Sequence, residues 1–211
     1  MEFRPKVNFA LRLWSVGGIC CNGKSNEVYF LDKFSKVMKV FPESSPARSG
    51  NLYYTFCKAS QKRPASGLAL HEPSGCFYTA IDKEIVGFSI STWATLTSHR
   101  PPSSAVEEDA AIVCNVHVTS SKDNPVTYLY YKSSDERDIY RVKIDDDGTL
   151  HKEATLFAAG FKRIRGITFD PADNVLVVDN GRRKIEVRFK VFFFSNFTLI
   201  LIFLIIIVFR S

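Results

Sequence analysis

The sequence predicts an all-β protein assembled from about four copies of one four-stranded unit, with a hydrophobic helix appended at the C-terminus. Three observations predict it. Residues 166–187 form a self-contained strand–turn–strand–hairpin–strand pattern, and repeated units settle architecture before any single residue settles chemistry. Glycines 18, 67 and 166, which open similar segments, lie 49 and then 99 residues apart, one and two steps of a single period. Helical periodicity is not sustained anywhere before residue 190. A four-stranded unit repeated at this length has the size of a β-propeller blade.

The first unit, near residues 16–60, opens with Gly18-Ile19-Cys20-Cys21 and turns at Gly23-Lys24-Ser25-Asn26. Val28-Tyr29-Phe30 follows with Asp32 at its end, then apolar residues 37–41 and an outer strand over 52–56. The second, near 61–108, runs Gly67-Leu68-Ala69-Leu70, the turn Glu72-Pro73-Ser74-Gly75, then Cys76-Phe77-Tyr78, Asp82 and residues 85–90. Its segment 91–108, with Pro101-Pro102 and several Ser and Thr, reads as a long polar loop, the kind of element that carries binding function. The third, near 109–160, has no opening glycine, but residues 113–118 fall where the period puts a strand. It continues with a longer turn, Tyr128-Leu129-Tyr130, residues 139–144, and an outer strand over 149–157. In the fourth, near 161–188, Ile167 and Phe169 alternate as in a half-buried strand and Asp170-Pro171-Ala172-Asp173 supplies a turn. Residues 175–178 are its second strand, Asp179-Asn180-Gly181 is a hairpin signal, and Ile185 and Val187 begin its third. Residues 1–15 form a lead-in.

The fourth unit resembles an NHL repeat: a glycine, a hydrophobic strand, Asp-Pro-x-x-Asn, a second strand ending in Asp, a basic hairpin turn and Ile-x-Val. Together the units are similar to the wider group of six-bladed propellers, which includes NHL proteins and the regucalcin/gluconolactonase and yellow/royal-jelly types. That resemblance covers roughly residues 16–188 and implies a partial six-bladed propeller, since six blades at this period need roughly 300 residues.

Composition is that of a globular chain, and 18 Phe and 8 Tyr suit β-structure. The net charge of +6 fits an affinity for acidic partners, or simply a basic solvated surface. Only Lys162-Arg163-Ile164-Arg165 and Arg182-Arg183-Lys184 cluster, without the interleaved aromatics that stack on bases, so no specific nucleic-acid signal is present. Cys20, Cys21, Cys57, Cys76 and Cys114 show no CxxC spacing, which argues against zinc, and their odd number suits buried thiols in a reducing compartment. Residues 1–16 contain Arg4, Lys6 and Arg12 and lack the apolar core of a secretory signal.

Residues 191–209 contain only Ser195, Asn196 and Thr198 as polar members, enough apolar length to span a bilayer as a helix. One reading is a single-pass anchor that holds the propeller on the cytosolic side, where the preceding basic residues favour it. The other is a non-native ending to a truncated, non-functional variant that is soluble and cytoplasmic, because the run begins where the fourth unit needs its last strand and carries no small-residue packing face.

The gluconolactonase-type resemblance implies metal-binding carboxylates or an amide just before each blade glycine, holding Ca²⁺ or another divalent cation through oxygen. The matching positions here are Gly17, Ser66 and Arg165, so no metal or catalytic residue is assigned on them. Asn115 and His117, at the corresponding part of the third unit, are the candidate central-channel ligand contacts. Asp32, Asp82 and Asp179 recur at the ends of second strands and are expected to accept N–H groups of the turns that follow. His71 is expected in a solvated turn, and His99 and His151 at linker or edge positions. Nucleophile elbows, phosphate-cradling glycine loops and His-Glu-x-x-His are absent from the sequence. The expected function is an interaction or ligand-binding module for a protein or small molecule, membrane-associated if the tail is an anchor. The alternative is a metal-dependent hydrolase of the lactonase type with ligands on further blades.

Overall fold

The computed structural model describes residues 16–25, 27–32, 36–40, 51–55, 65–102, 112–118, 125–170, 174–188 and 206–208. They form four antiparallel sheets of four strands, each a meander in chain order. The first holds β1 (Val16–Asn22), β2 (Glu27–Asp32), β3 (Lys36–Val40) and β4 (Asn51–Thr55); the second β5 (Ser66–His71), β6 (Cys76–Ile81), β7 (Glu84–Ser89) and β8 (Thr95–His99). The third holds β9 (Ile112–Val118), β10 (Thr127–Lys132), β11 (Ile139–Ile144) and β12 (Leu150–Ala158); the fourth β13 (Ile164–Phe169), β14 (Val175–Asp179), β15 (Lys184–Arg188) and β16 (Ile206–Val208). The opening strands are neighbours in space: β1 touches β5, β5 touches β9, and β9 touches β13.

Three apolar layers lie between successive sheets. Tyr29, Leu31 and Val37 pack against Leu68, Leu70, Phe77 and Phe88, with the Tyr29 and Phe77 rings edge-on at 4.6 Å. Cys76, Tyr78 and Ile85 meet Leu129, Tyr131 and Val142. Tyr130 and Ile139 meet Phe161, Ile164, Val175 and Val177. Side chains of adjacent strand residues point to opposite faces. Phe77 therefore serves the first layer and Tyr78 the second, and Tyr130 serves the third while Leu129 and Tyr131 serve the second. A sheet covered on both faces explains why β6 is buried along nearly its whole length, and apolar except for Thr79, rather than alternating. Each such side chain, fully buried, is worth roughly 1.5–3 kcal/mol.

The register carries one irregularity at the same place in all four opening strands. Val16 pairs with Asp32 and Gly18 with Leu31, leaving Gly17 as the extra residue. Ile164 pairs with Asp179 and Gly166 with Val178, leaving Arg165. Val113 pairs with Tyr131 and Asn115 with Tyr130, leaving Cys114. In the second sheet Ser66 pairs with Ala80 and Ala69 with Tyr78, so Gly67 and Leu68 together face Thr79, whose hydroxyl donates to Gly67 O at 2.7 Å. These are β-bulges, which bend a strand and re-aim a side chain.

The tail corrects an expectation. Instead of a hydrophobic helix, its described part, Ile206–Val208, is strand β16, paired antiparallel with Lys184, Ile185 and Glu186 of β15. The physical reason is that β-branched Ile and Val suit a pleated strand, and β15 would otherwise offer an unpaired hydrogen-bonding edge. The rest of 191–209 lies outside the described residues. Among the described residues no helix is long and apolar enough to cross a membrane.

Candidate functional site

An antiparallel meander places the β10–β11 turn, the β14–β15 turn and the entry to β13 at one end of their sheets. The two basic runs of the sequence meet there. Asp179, the last residue of β14, is fully buried and accepts the backbone N–H groups of Lys162 and Arg163, both at 2.9 Å, and of Arg182 at 3.3 Å. Asn180 N donates to Arg163 O at 2.9 Å. A side-chain carbon placed on Gly181 would fall 2.7 Å from Lys162 Cγ, so glycine is what lets the hairpin lie against the first run. Arg182 then reaches back, donating from Nη2 to Gly160 O at 2.8 Å and from Nη1 to Glu186 at 2.8 Å. Glu186, 1% exposed, also pairs with Lys184 at 2.9 Å. Burial alone would raise the Asp179 carboxyl, but the three backbone N–H groups and the Arg182 charge outweigh it and hold it below the usual carboxylate range.

The β10–β11 turn of the third sheet adds a second ionic centre. Glu136 takes Lys132 Nζ on Oε1 at 2.6 Å, Arg165 Nη1 on the same oxygen at 3.3 Å, and Arg163 Nε on Oε2 at 3.0 Å. Its backbone is left-handed, φ 62°, and is fixed on both sides: Glu136 N donates to Ser133 O at 3.0 Å and Glu136 O accepts Ile164 N at 2.8 Å. Lys132, 3% exposed, also donates to Ile164 O at 3.1 Å. Burial pushes the Glu136 carboxyl up, but hydrogen bonds from Lys132 and Arg163 and the charges of Lys132 and Arg165 bring it below its ordinary value. Three cations share one carboxylate here, and the bulge at Arg165 is what turns its side chain toward that carboxylate.

The residues expected to carry function are placed differently. Asn115 and His117 lie in β9, paired with Tyr130 and Tyr128; their side chains lie outside what is described. Asp32 ends β2 opposite Val16, and its side chain is likewise outside. Asp82 stands in the β6–β7 turn with φ 53°, whereas the register equivalents of Asp32 and Asp179 in the second and third sheets are Ala80 and Tyr131. The carboxylate that recurs along the sequence therefore does not recur at one structural position. Ser66 falls at the Val16 position, not at that of Gly17, so the bulge residues are Gly17, Gly67 with Leu68, Cys114 and Arg165. None offers a side-chain oxygen for a hard cation. Among the described residues no three His, Cys, Asp or Glu side chains are grouped to hold a metal ion.

The solvated turn expected of His71 is corrected, whereas His99 does lie on an outer strand, β8, but buried. His71 and His99 are each only 2% exposed. His71 is the last residue of β5 and shares a hydrogen bond of 2.7 Å between Nδ1 and Ser74 Oγ. That hydroxyl lies beside Gly148 of the next sheet. His99 donates from Nδ1 to His151 O at 3.0 Å, so Nε2 accepts from Tyr131 Oη at 3.3 Å. Burial lowers both histidines below their ordinary value.

No family model matches the sequence, and no curated protein matches it. Solved structures do resemble it. U3-55K aligns with a TM-score of 0.56 at 11% identity over 84% of this chain and 49% of its own. A catalytically inactive virginiamycin B lyase from Staphylococcus aureus, with quinupristin, gives 0.54 at 16% over 82% and 51%. A protein from Lactobacillus plantarum gives 0.53 at 15% over 82% and 50%. The chain thus spans about half the length of the structures it matches. At these identities the likeness shows the fold alone, which is β-propeller-like.

Proposed function

We propose that this chain is a propeller-type interaction module that takes an acidic protein segment on the rim formed by the β12–β13 connection and the β10–β11 and β14–β15 turns. The observation that carries the reading is the convergence of Lys162-Arg163 with Arg182-Arg183 around the buried Asp179. Lys162, Arg163 and Arg183 are exposed there, while the carboxylates that organise the rim are largely enclosed: Asp179 and Glu186 are 0% and 1% exposed. Around Asp179, positive charge therefore faces solvent and negative charge faces the protein, while the β10–β11 turn also exposes Asp135. Such an arrangement steers an acidic partner and fixes its register more than it adds raw affinity. One structural neighbour of this fold is a lyase with quinupristin, and fold alone does not choose between a catalytic and a binding role.

The test is fluorescence anisotropy with a labelled oligoglutamate peptide and the full chain. Binding is expected to weaken as salt rises through the range where the screening length falls to about 8 Å. It is expected to drop about tenfold in the double variant Lys162→Glu, Arg183→Glu. Equal binding by wild type and variant would overturn the assignment of this rim.

A further inference from the structure

We infer that Arg163 and Arg165, oriented by Glu136 beside Lys132, form a clamp for a phosphate monoester carried by a protein partner. The inference rests on the acidic-partner reading of the same rim and names the group that the partner presents. Arg163 binds Glu136 through Nε and Arg165 through Nη1. The two terminal nitrogens of Arg163, and Nε and Nη2 of Arg165, have no protein partner among the described residues. Their side chains are 53% and 44% exposed, so those donors are open to solvent. Because one carboxylate holds both guanidinium groups, they sit side by side and one tetrahedral oxyanion can bridge them. Paired N–H donors of this fork geometry are what make arginine a selective receptor for phosphate rather than a mere point charge.

Charge selects phosphate over carboxylate. Lys132, Arg163 and Arg165 against Glu136 leave a surplus of two positive charges. A phosphate monoester carries about −1.5 to −2 at neutral pH, which matches that surplus, whereas one Asp or Glu of a partner neutralises half of it. The site is also built in advance. Lys132 is enclosed, at 4% side-chain exposure, and tied to Ile164 O. Glu136 holds a left-handed backbone that an ordinary residue avoids, fixed by Ser133 O and Ile164 N. Strain retained in this way is a recurring mark of sites whose side chains must be held in place. Neither arginine has to be ordered when the ligand arrives, which lowers the entropic cost of binding.

The experiment uses the full chain and three peptides of one acidic sequence carrying serine, phosphoserine or glutamate at the central position, with inorganic phosphate as competitor. The phosphoserine peptide is expected to bind at least tenfold tighter than the other two, and inorganic phosphate to displace it. Arg165→Gln is expected to remove most of that preference while leaving the oligoglutamate affinity within about threefold. If the variant does not fold, displacement by inorganic phosphate and the peptide ranking on wild type still decide. Equal binding of the three peptides overturns the clamp but leaves the acidic-partner reading standing. Inorganic phosphate binding without preference for the phosphopeptide overturns the protein source of the group. Failure of every peptide and of oligoglutamate overturns both readings.

Discussion

Asp179 shows how one side chain can organise a surface that it does not itself expose. It is buried at 0% exposure, yet it stays ionised because three backbone N–H groups and the Arg182 guanidinium surround it. Replacing it with alanine would orphan those donors and release the hairpin from residues 162–163. The expected cost is about 3 kcal/mol, read as a lowered urea midpoint, and a midpoint unchanged from wild type would contradict its organising role. The buried histidines make stability depend on pH in the same direction, but closer to neutrality. His71 and His99 have folded values below the ordinary histidine value, so the unfolded chain binds more protons as pH falls through about 6.5. Stability is therefore expected to be level above that value and to decline below it, by up to about 1.4 kcal/mol per pH unit for each group. The carboxylates with depressed values, Glu136 and Asp179, add their loss only at lower pH, as the medium falls through their folded values below the usual carboxylate range. Urea midpoints at pH 8, 7, 6 and 5.5 test this, and a flat profile across that series would show that the two rings do not enter the folded state neutral.

At the scale of elements, strands were legible wherever local pattern decided them. The spacing of Gly18, Gly67 and Gly166 located the opening strands, and it located β9 although that strand has Asn115 where Gly18 and Gly166 stand in register. Outer strands β4 and β12 fall within a residue of the runs that announced them. What local pattern could not supply is which residues oppose one another. Asp82 looked equivalent to Asp32 and Asp179 because each follows a second apolar run. Pairing puts Ala80 at that position, and Asp82 two residues further on in the turn. A register offset of this kind is invisible without the partner strand. His71 looked solvated because it precedes Glu72-Pro73-Ser74-Gly75, a polar turn. It is covered because the β11–β12 turn of the next sheet lies over it, where Tyr78 Oη also donates to Gly148 O at 2.7 Å. The candidate rim was half legible for the same reason: both basic runs stood out in the chain, while their meeting depends on Asp179 as a shared acceptor. The tail is ambiguous in sequence because an apolar run of Ile, Leu, Phe and Val satisfies the length criterion for a membrane helix and the composition of a strand equally well. In the described part, Ile206–Val208 is a strand paired with the edge of β15.

Across the whole molecule, the sheets are held together by the layers between them, and the blade glycines report how closely neighbouring sheets approach. A methyl group on Gly18 would fall 2.5 Å from the backbone nitrogen of Leu68 and 2.8 Å from the carbonyl carbon of Gly67. Those atoms belong to β5, the opening strand of the next sheet, and backbone cannot swing aside as a flexible side chain can. Gly18→Ala must therefore push the first sheet off the second and loosen the layer containing Tyr29, Leu31, Leu68 and Phe77. A methyl on Gly166, the same register position in the fourth sheet, meets only Val178 Cγ2 at 3.8 Å, an ordinary contact within its own sheet. The two glycines look identical in sequence, yet only one of them lies against another sheet among the described residues. Gly18→Ala is expected to cost about 1–3 kcal/mol by overpacking. Gly166→Ala is expected to be neutral or to stabilise by up to about 1 kcal/mol, since alanine restricts the unfolded chain. Thermal and urea melts of the two single variants, run beside wild type, compare them directly. Equal destabilisation would mean that Gly166 also faces a closely packed sheet, and that the fourth blade has a neighbour on its far side.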